Sequence, residues 1–458
     1  MRNRARSRLS IVAAIALSLA LLASACSSDE GGSDEGDNSG TTAPAALDEK
    51  VDVDAPGVTD TEIRYSVLAT ETNNPAGTCV LSCYANGIRA YFDYVNTEFG
   101  GIYGRKLVAD DLVDDEFLKN QEAALEIIAA DNTFGTFGNS PVPTGWQSLA
   151  DEGIPLYVWA TNPTAMAGNE SIFGEVTPRC YTAECPDRAV PYLMKISGKH
   201  KLASVGYGIA DSSKMCAKYQ EQGVEKYKDQ IGSDAEVAYF NDDMQYGFPN
   251  GVAPEITAMK NAGANILSAC IDNAGMKTLI QEAQRQDLDI LPLLPQGYDN
   301  DFIAQQGGVY DGGYLRNSIR SFQADLNEAQ QKFREYMQKL DYQESEVSIY
   351  GWINAALAYE GLKQAGPDFS RQKVVDATNT LTDFTAGGLT APQNWVIGHE
   401  APTIDDAETV GQKYECYNIM TIENDAFQLV GDPSKPFTCW PGTSWEWEQG
   451  EPEALSFE

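Results

Sequence analysis

Residues 84–115 read YANGIRAYFDYVNTEFGGIYGRKLVADDLVDD, and this stretch decides the fold. From Tyr84 to Glu98 apolar side chains recur at helical spacing, which predicts a helix with one buried face. Gly100 and Gly101 then end the helix and turn the chain. Lys106 to Val113 follows as a strand, closed by Asp114 and Asp115. Upstream, Glu62 to Ala69 (EIRYSVLA) reads as another strand, joined to the helix through a loop rich in Asn, Pro and Gly from Thr70 to Gly77. Strand, helix and strand in this order make one βαβ unit, so the two strands are expected to run parallel.

The pattern continues outward. Glu116 to Ala130 is expected to be a second helix, Phe134 to Phe137 a short buried strand, Thr144 to Glu152 a helix and Leu156 to Trp159 a strand. It then restarts. Strands are expected at Leu202 to Tyr207, Glu236 to Asn241, Ile266 to Ala269 and Ile290 to Leu294, with helices at Lys214 to Ile231, Val252 to Ala262 and Met276 to Gln286. Beyond them Asn327 to Leu340 and Tyr350 to Ala365 read as helices, and Tyr414 to Val430 as strand. The fold class is therefore α/β, with two doubly wound parallel-sheet lobes and a chain that crosses between them more than once.

The N-terminus is set apart from the fold. Arg2, Arg4, Arg6 and Arg8 precede an apolar run from Ile11 to Leu22 and the small residues Ala23, Ser24 and Ala25, the order of a secretory signal peptide over residues 1–25. The apolar run is shorter than the roughly 20 residues that a membrane span needs. Leu22-Ala23-Ser24-Ala25-Cys26 resembles a bacterial lipobox, which implies lipidation of Cys26 and anchoring to the outer face of the cytoplasmic membrane. Residues 26–57 are mostly Ser, Gly, Asp, Glu, Thr and Ala, too polar to bury a core, and are expected to be a disordered linker.

Composition narrows the function. A formal charge of -35 repels phosphate and excludes nucleic acid as a partner. Besides Cys26 there are eight cysteines, an even number in an oxidising compartment, which favours four disulfides. Sequence alone does not choose among their pairings. Neighbour pairing joins Cys79 to Cys83, Cys180 to Cys185 and Cys416 to Cys439, leaving Cys216 with Cys270. His200 and His399 are the only histidines, so neither a zinc site nor any cofactor is expected.

Several motifs then carry a resemblance. Asn96 to Leu107 (NTEFGGIYGRKL) with Asp114-Asp115, Asp151-Glu152-Gly153-Ile154-Pro155, Met259 to Ala264 (MKNAGA), and Tyr350-Gly351-Trp352 opening a helix occur in order across Val58 to Val430. Together they resemble the type I periplasmic binding proteins of the leucine/isoleucine/valine-binding group. The resemblance implies two lobes joined by a three-crossover hinge that close on a small solute. Lobe one is expected at 58–185 plus 320–388 and lobe two at 186–319 plus 389–445, with 446–458 as a C-terminal tail.

The same resemblance implies a ligand site. Tyr84 stands where relatives often have a ligand-contacting tyrosine. Gly138-Asn139-Ser140-Pro141 matches the segment that holds a ligand carboxylate, although Pro141 lacks an N–H. Ala160-Thr161-Asn162 matches a second such loop, which makes Asn139, Ser140, Thr161 and Asn162 candidates. On the other lobe Asp211, Asp272, Gln296 and Tyr298 fall in loops after strands, where open α/β sheets bind ligands. Gln296 is neutral where amino-acid binders commonly have a glutamate, so either Asp272 pairs with a ligand ammonium or the ligand is not an α-amino acid.

Catalytic motifs are absent: no G-x-S-x-G, H-E-x-x-H or phosphate loop occurs. Ser370-Arg371-Gln372-Lys373 matches S-x-x-K, but an apolar-periodic helix follows, so Ser370 reads as a helix N-cap. The expectation is a non-enzymatic solute-binding lipoprotein of an ABC importer, a monomer that takes up a small polar organic solute such as an amino acid, amide or related carboxylate. Its partners are then the solute, a membrane permease and, through the lipid, the membrane. The alternatives are a ligand-sensing lipoprotein and, more remotely, a secreted hydrolase.

Overall fold

Strands β1 (Glu62–Ala69), β2 (Lys106–Asp114), β3 (Gly135–Asn139), β4 (Leu156–Trp159) and β5 (Ile172–Glu175) form a wholly parallel sheet in the order β2-β1-β3-β4-β5. Helices α1 (Leu81–Glu98), α2 (Asn120–Ala130) and α3 (Trp146–Asp151) connect them. Every residue of β3 is buried, as a parallel strand covered on both faces requires. The chain is represented by a computed structural model that describes residues 47–74, 78–159, 166–175, 185–294, 297–399, 413–441, 447 and 451–458.

The second sheet repeats the winding. After α4 (Ala189–Ser197) come β6 (Lys201–Tyr207), α5 (Asp211–Lys226), α6 (Lys228–Ile231), β7 (Glu236–Met244), α7 (Ala253–Ala262), β8 (Ile266–Cys270), α8 (Asn273–Arg285), β9 (Leu291–Leu294), α9 (Asn300–Ile303) and β10 (Tyr314–Asn317). Its parallel part runs β7-β6-β8-β9-β10, the same order as the first sheet. The sheet is not parallel throughout. On the β10 edge, β11 (Tyr414–Glu423), β13 (Phe437–Pro441) and β14 (Glu453–Leu455) add antiparallel strands, and β12 (Ala426–Leu429) pairs with β11.

Between β10 and β11 the chain returns to the first sheet through α10 (Glu328–Lys339), α11 (Glu346–Ala365) and α12 (Arg371–Thr378). Two of its passages lie side by side, where Ile319 bridges Thr390 antiparallel. Helix α11 packs on α1 at a distance only glycine permits. A Cβ on Gly87 would stand 1.7 Å from the Ser348 carbonyl oxygen, and one on Gly351 2.2 Å from that of Tyr84. Around this crossing Trp352 meets Tyr91 edge-on at 5.0 Å and stacks on Tyr94 at 5.8 Å. Burying such large side chains supplies about 1.5–3 kcal/mol each, so the crossing anchors the first core.

Some boundaries differ from the sequence reading, each for a local reason. Helix α2 begins at Asn120 rather than Glu116, because Glu116 and Phe117 adopt positive φ of 45° and 73° in the turn after β2. Helix α11 begins at Glu346 rather than Tyr350, because Ser345 and Ser348 form a capping box. Ser370 is the N-cap of α12, accepting from the Lys373 N–H.

Disulfides Cys79–Cys83, Cys216–Cys270 and Cys416–Cys439 are formed. Cys185 is disulfide-bonded too, while Cys180 lies outside the described residues. A buried polar network fixes the entry to the second sheet. Arg188, at the N-cap of α4, pairs with Glu415 on β11, each side chain only 1% exposed. Tyr417 donates to Glu415 at 3.1 Å, and Arg316 pairs with Asp187 at 2.7 Å.

Candidate functional site

In a sheet wound 2-1-3-4-5 the chain leaves strands 1 and 3 in opposite directions, opening a crevice at their carboxyl ends. The crevice falls after β1 and β3 in the first sheet, and after β6 and β8 in the second. Asn139, Ser140, Asp211 and Asp272 all stand at these ends.

At the first sheet's crevice the loop side chains hydrogen-bond to one another. The buried Asp115 carboxylate accepts from Thr70 Oγ1 at 2.6 Å, from Asn120 Nδ2 at 2.9 Å and from the Ser140 hydroxyl. Ser140 also accepts from Asn120 Nδ2 at 2.9 Å, so its hydroxyl serves the turn. Asn139, the last residue of β3, accepts from the Thr70 N–H through its carbonyl, and its buried Nδ2 has no hydrogen-bond partner among the described residues. Tyr84 is fully buried. Its hydroxyl donates to the Tyr157 carbonyl at 3.2 Å and accepts from Asn354 Nδ2 at 2.6 Å, while Asn354 Oδ1 is buried without a partner among the described residues.

In the second sheet Asp272 is the N-cap of α8. Its Oδ1 accepts from the Gly275 N–H at 2.8 Å and its Oδ2 from the Tyr207 hydroxyl at 2.8 Å. Burial, then the Asp272 charge, pushes the Tyr207 hydroxyl well above its ordinary pKa. Asp211 opens α5 and is exposed. Tyr298 is buried, stacked on Phe322 at 5.1 Å, with its hydroxyl donating to Gln323 and accepting from the Phe322 N–H. Thr161, Asn162, Gln296 and Cys26 lie outside the described residues.

Folding also gathers residues that the sequence reading did not place among the ligand-site candidates. Phe117, after β2, meets Tyr246, after β7, at 5.1 Å, and Tyr246 meets Tyr207 at 5.4 Å. Trp159, the last residue of β4, stacks on Tyr350 of α11 at 5.0 Å, and the Tyr350 and Ser318 hydroxyls are 3.1 Å apart. One turn before Tyr350, Glu346 Oε2 accepts from the backbone N–H groups of Gly297 and Tyr298, each at 2.8 Å. The start of α11 thus touches the carboxyl ends of both sheets. Burial raises the Glu346 pKa to about 7, against the lowering effect of the two N–H groups, and the Asp299 charge adds to the rise. The residue-type signal was an aromatic next to an acid at a helix start, which is too common to have marked the site.

Among the described residues, no cluster of His, Cys, Asp or Glu is placed to hold a metal ion, and no helix is long and apolar enough to cross a membrane.

Two like-wound α/β units, joined by repeated crossings and facing each other at their strand ends, define a type I two-lobed binding fold. The family model described as periplasmic binding protein matches residues 70–426, and the chain belongs to that family. Compared by sequence with curated proteins, the chain finds no match. Among solved structures it is similar to a fatty acid ABC transporter substrate-binding protein from Thermomonospora curvata, at 17% identity and TM-score 0.61, over 88% of this chain and 98% of that one. It is also similar to a branched-chain amino acid ABC transporter protein from Thermus thermophilus with bound valine, at 15% identity and TM-score 0.60, over 81% and 96% of the two chains. A third is a solute-binding protein from R. palustris in complex with benzoate, at 15% identity and TM-score 0.60, over 86% and 99%. At these identities the likeness is one of fold, and it agrees with the type I resemblance read from the sequence.

Proposed function

We propose that this protein is the extracytoplasmic solute-binding lipoprotein of an ABC importer, capturing a small polar organic solute, such as an amino acid, amide or related carboxylate, by closure of its two lobes. The observation that carries the reading is the meeting of side chains from both sheets at their carboxyl ends, Phe117 with Tyr246 and Glu346 with the Gly297–Tyr298 backbone. Such a crevice between two units is where a solute is buried when they close. The lobes are assigned to 58–185 plus 320–388 and to 186–319 plus 389–445. Membership of the periplasmic binding protein family, and the names of structural neighbours that bind valine or benzoate, support the solute-binding role. The signal segment and the Leu22–Cys26 sequence support a lipid tether at Cys26, with the permease as membrane partner.

The test is uptake. Deleting the gene should abolish import of one radiolabelled solute while leaving signalling intact. Intact uptake of every solute, with loss of a transcriptional response, would overturn the importer in favour of a sensor. A thermal-shift panel identifies the solute, since a ligand at about 100 times its dissociation constant stabilises by about 2.7 kcal/mol.

A further inference from the structure

Among the described residues, Glu346 is an acid without a counter-charge: the residue is 4% exposed, and no ion pair to it exists among them. Oε2 is occupied by the Gly297 and Tyr298 N–H groups, whereas Oε1 makes no hydrogen bond among the described residues. A buried carboxylate in this position is costly unless something positive joins it. The charged groups around it do not supply that. Asp299 adds a second negative charge, and Arg334 on α10 is spent on Glu344 at 3.4 Å.

The surroundings say where a counter-charge would come from. Glu346, Tyr350 and Asn354 are spaced by four residues and share one stripe of α11. Along that stripe Glu346 touches the loop after β9, Tyr350 stacks on the end of β4, and Asn354 holds Tyr84 through its Nδ2, its buried Oδ1 without a partner among the described residues. The stripe therefore runs where the carboxyl ends of the two sheets meet, with an aromatic plate one turn from the acid. Gln296, which immediately precedes Gly297 in the chain, is neutral and brings no acid to this loop.

We propose that Glu346 is the counter-charge for an ammonium group of the bound solute, which makes it the residue that selects amine-bearing solutes. The proposal rests on the solute-binding reading above. Because Glu346 joins the α11 stripe to the 297–298 loop of the other sheet, the ammonium would be seated at the junction the lobes close on.

The experiment uses two matched sets of probes: L-leucine, 3-methylbutylamine and 4-methylpentanoate, and L-phenylalanine, 2-phenylethylamine and 3-phenylpropionate. Calorimetry and thermal shift on the full mature chain should show binding of amine-bearing members, and Glu346→Gln should weaken it by more than about tenfold. A second readout needs no variant. An ammonium beside Glu346 lowers its pKa, so below about 7 binding should release a proton, visible as a dependence of the wild-type binding heat on the ionisation enthalpy of the buffer. Proton release with amine probes, abolished in Glu346→Gln, supports the assignment. Binding of the two carboxylate-only probes alone, with Glu346→Gln without effect, overturns it and leaves the solute-binding reading standing. Failure of every probe to bind also overturns it, and the uptake test then decides the broader reading separately.

Discussion

The ring of Phe117 lies 5.1 Å from the ring of Tyr246, and this contact joins the turn after β2 in one sheet to the turn after β7 in the other. Phe117 is held for it by an unusual backbone, φ 73°, with its N–H donating to Asp115 Oδ1 at 3.0 Å. An aromatic pair contributes about 0.5–1.5 kcal/mol beyond its buried area. Phe117→Ala and Tyr246→Ala should therefore show a coupling of about 1 kcal/mol in a double-mutant cycle on urea unfolding, and each should enlarge the radius of gyration in X-ray scattering. Additive effects within about 0.3 kcal/mol would mean that the pair does not hold the sheets together.

Asp272 has a structural duty at the start of α8. Its two oxygens cap α8 and hold the Tyr207 hydroxyl, so removing the carboxylate removes an N-cap. Asp272→Ala should lower stability by about 0.5–2 kcal/mol in urea titration, whereas Asp272→Asn, an equally good cap, should cost much less. An equal loss in both variants would show that the charge, not the cap, is what the site needs.

How far the sequence could be read depended on what each element asked of its residues. Strands β1 and β4 announce themselves because buried parallel strands favour apolar runs, and Val67-Leu68-Ala69 and LYVW supply them. Strand β10 (YLRN) stays hidden because its half-buried Arg316 is accommodated by pairing with Asp187, which lies far away in sequence. Strand β14 likewise exists through its pairing with β13 and has no pattern of its own. At the candidate site, the rule that ligands meet strand ends pointed to Asn139, Ser140 and Asp272, which do stand at strand ends, but not to the hydrogen bonds that hold them. Glu346 was out of reach, since it starts a helix after β10 and only the tertiary fold brings it to Gly297.

The Arg188–Glu415 pair ties α4 to β11 inside the second sheet's core, and both groups are dehydrated. Arg188→Met leaves Glu415 buried with Tyr417 as its hydrogen-bond donor, which should cost about 3–5 kcal/mol. Replacing both, as Arg188→Met with Glu415→Leu, should recover a large part of that loss, because the desolvation of two charges disappears with them. Urea unfolding of the single and double variants checks this. A double variant as unstable as the single one would show that the pair's geometry, rather than its charge balance, sets the packing.

Glu346 should leave a signature in the pH dependence of stability without ligand. Its pKa rises from an ordinary carboxylate value of 4.5 to about 7 on folding, so the folded state favours the protonated form. The sign follows from linkage: the contribution is fully present below about 4.5 and is lost as pH rises through about 7. Glu346→Gln keeps a carbonyl oxygen able to accept from Gly297 and Tyr298 but has no proton to lose. The stability of the wild type relative to the variant should therefore fall between pH 4.5 and 7 and level off above, in urea titrations across that range. A difference that stays flat, or rises with pH, would mean that Glu346 is not buried as an uncompensated acid in the ligand-free protein.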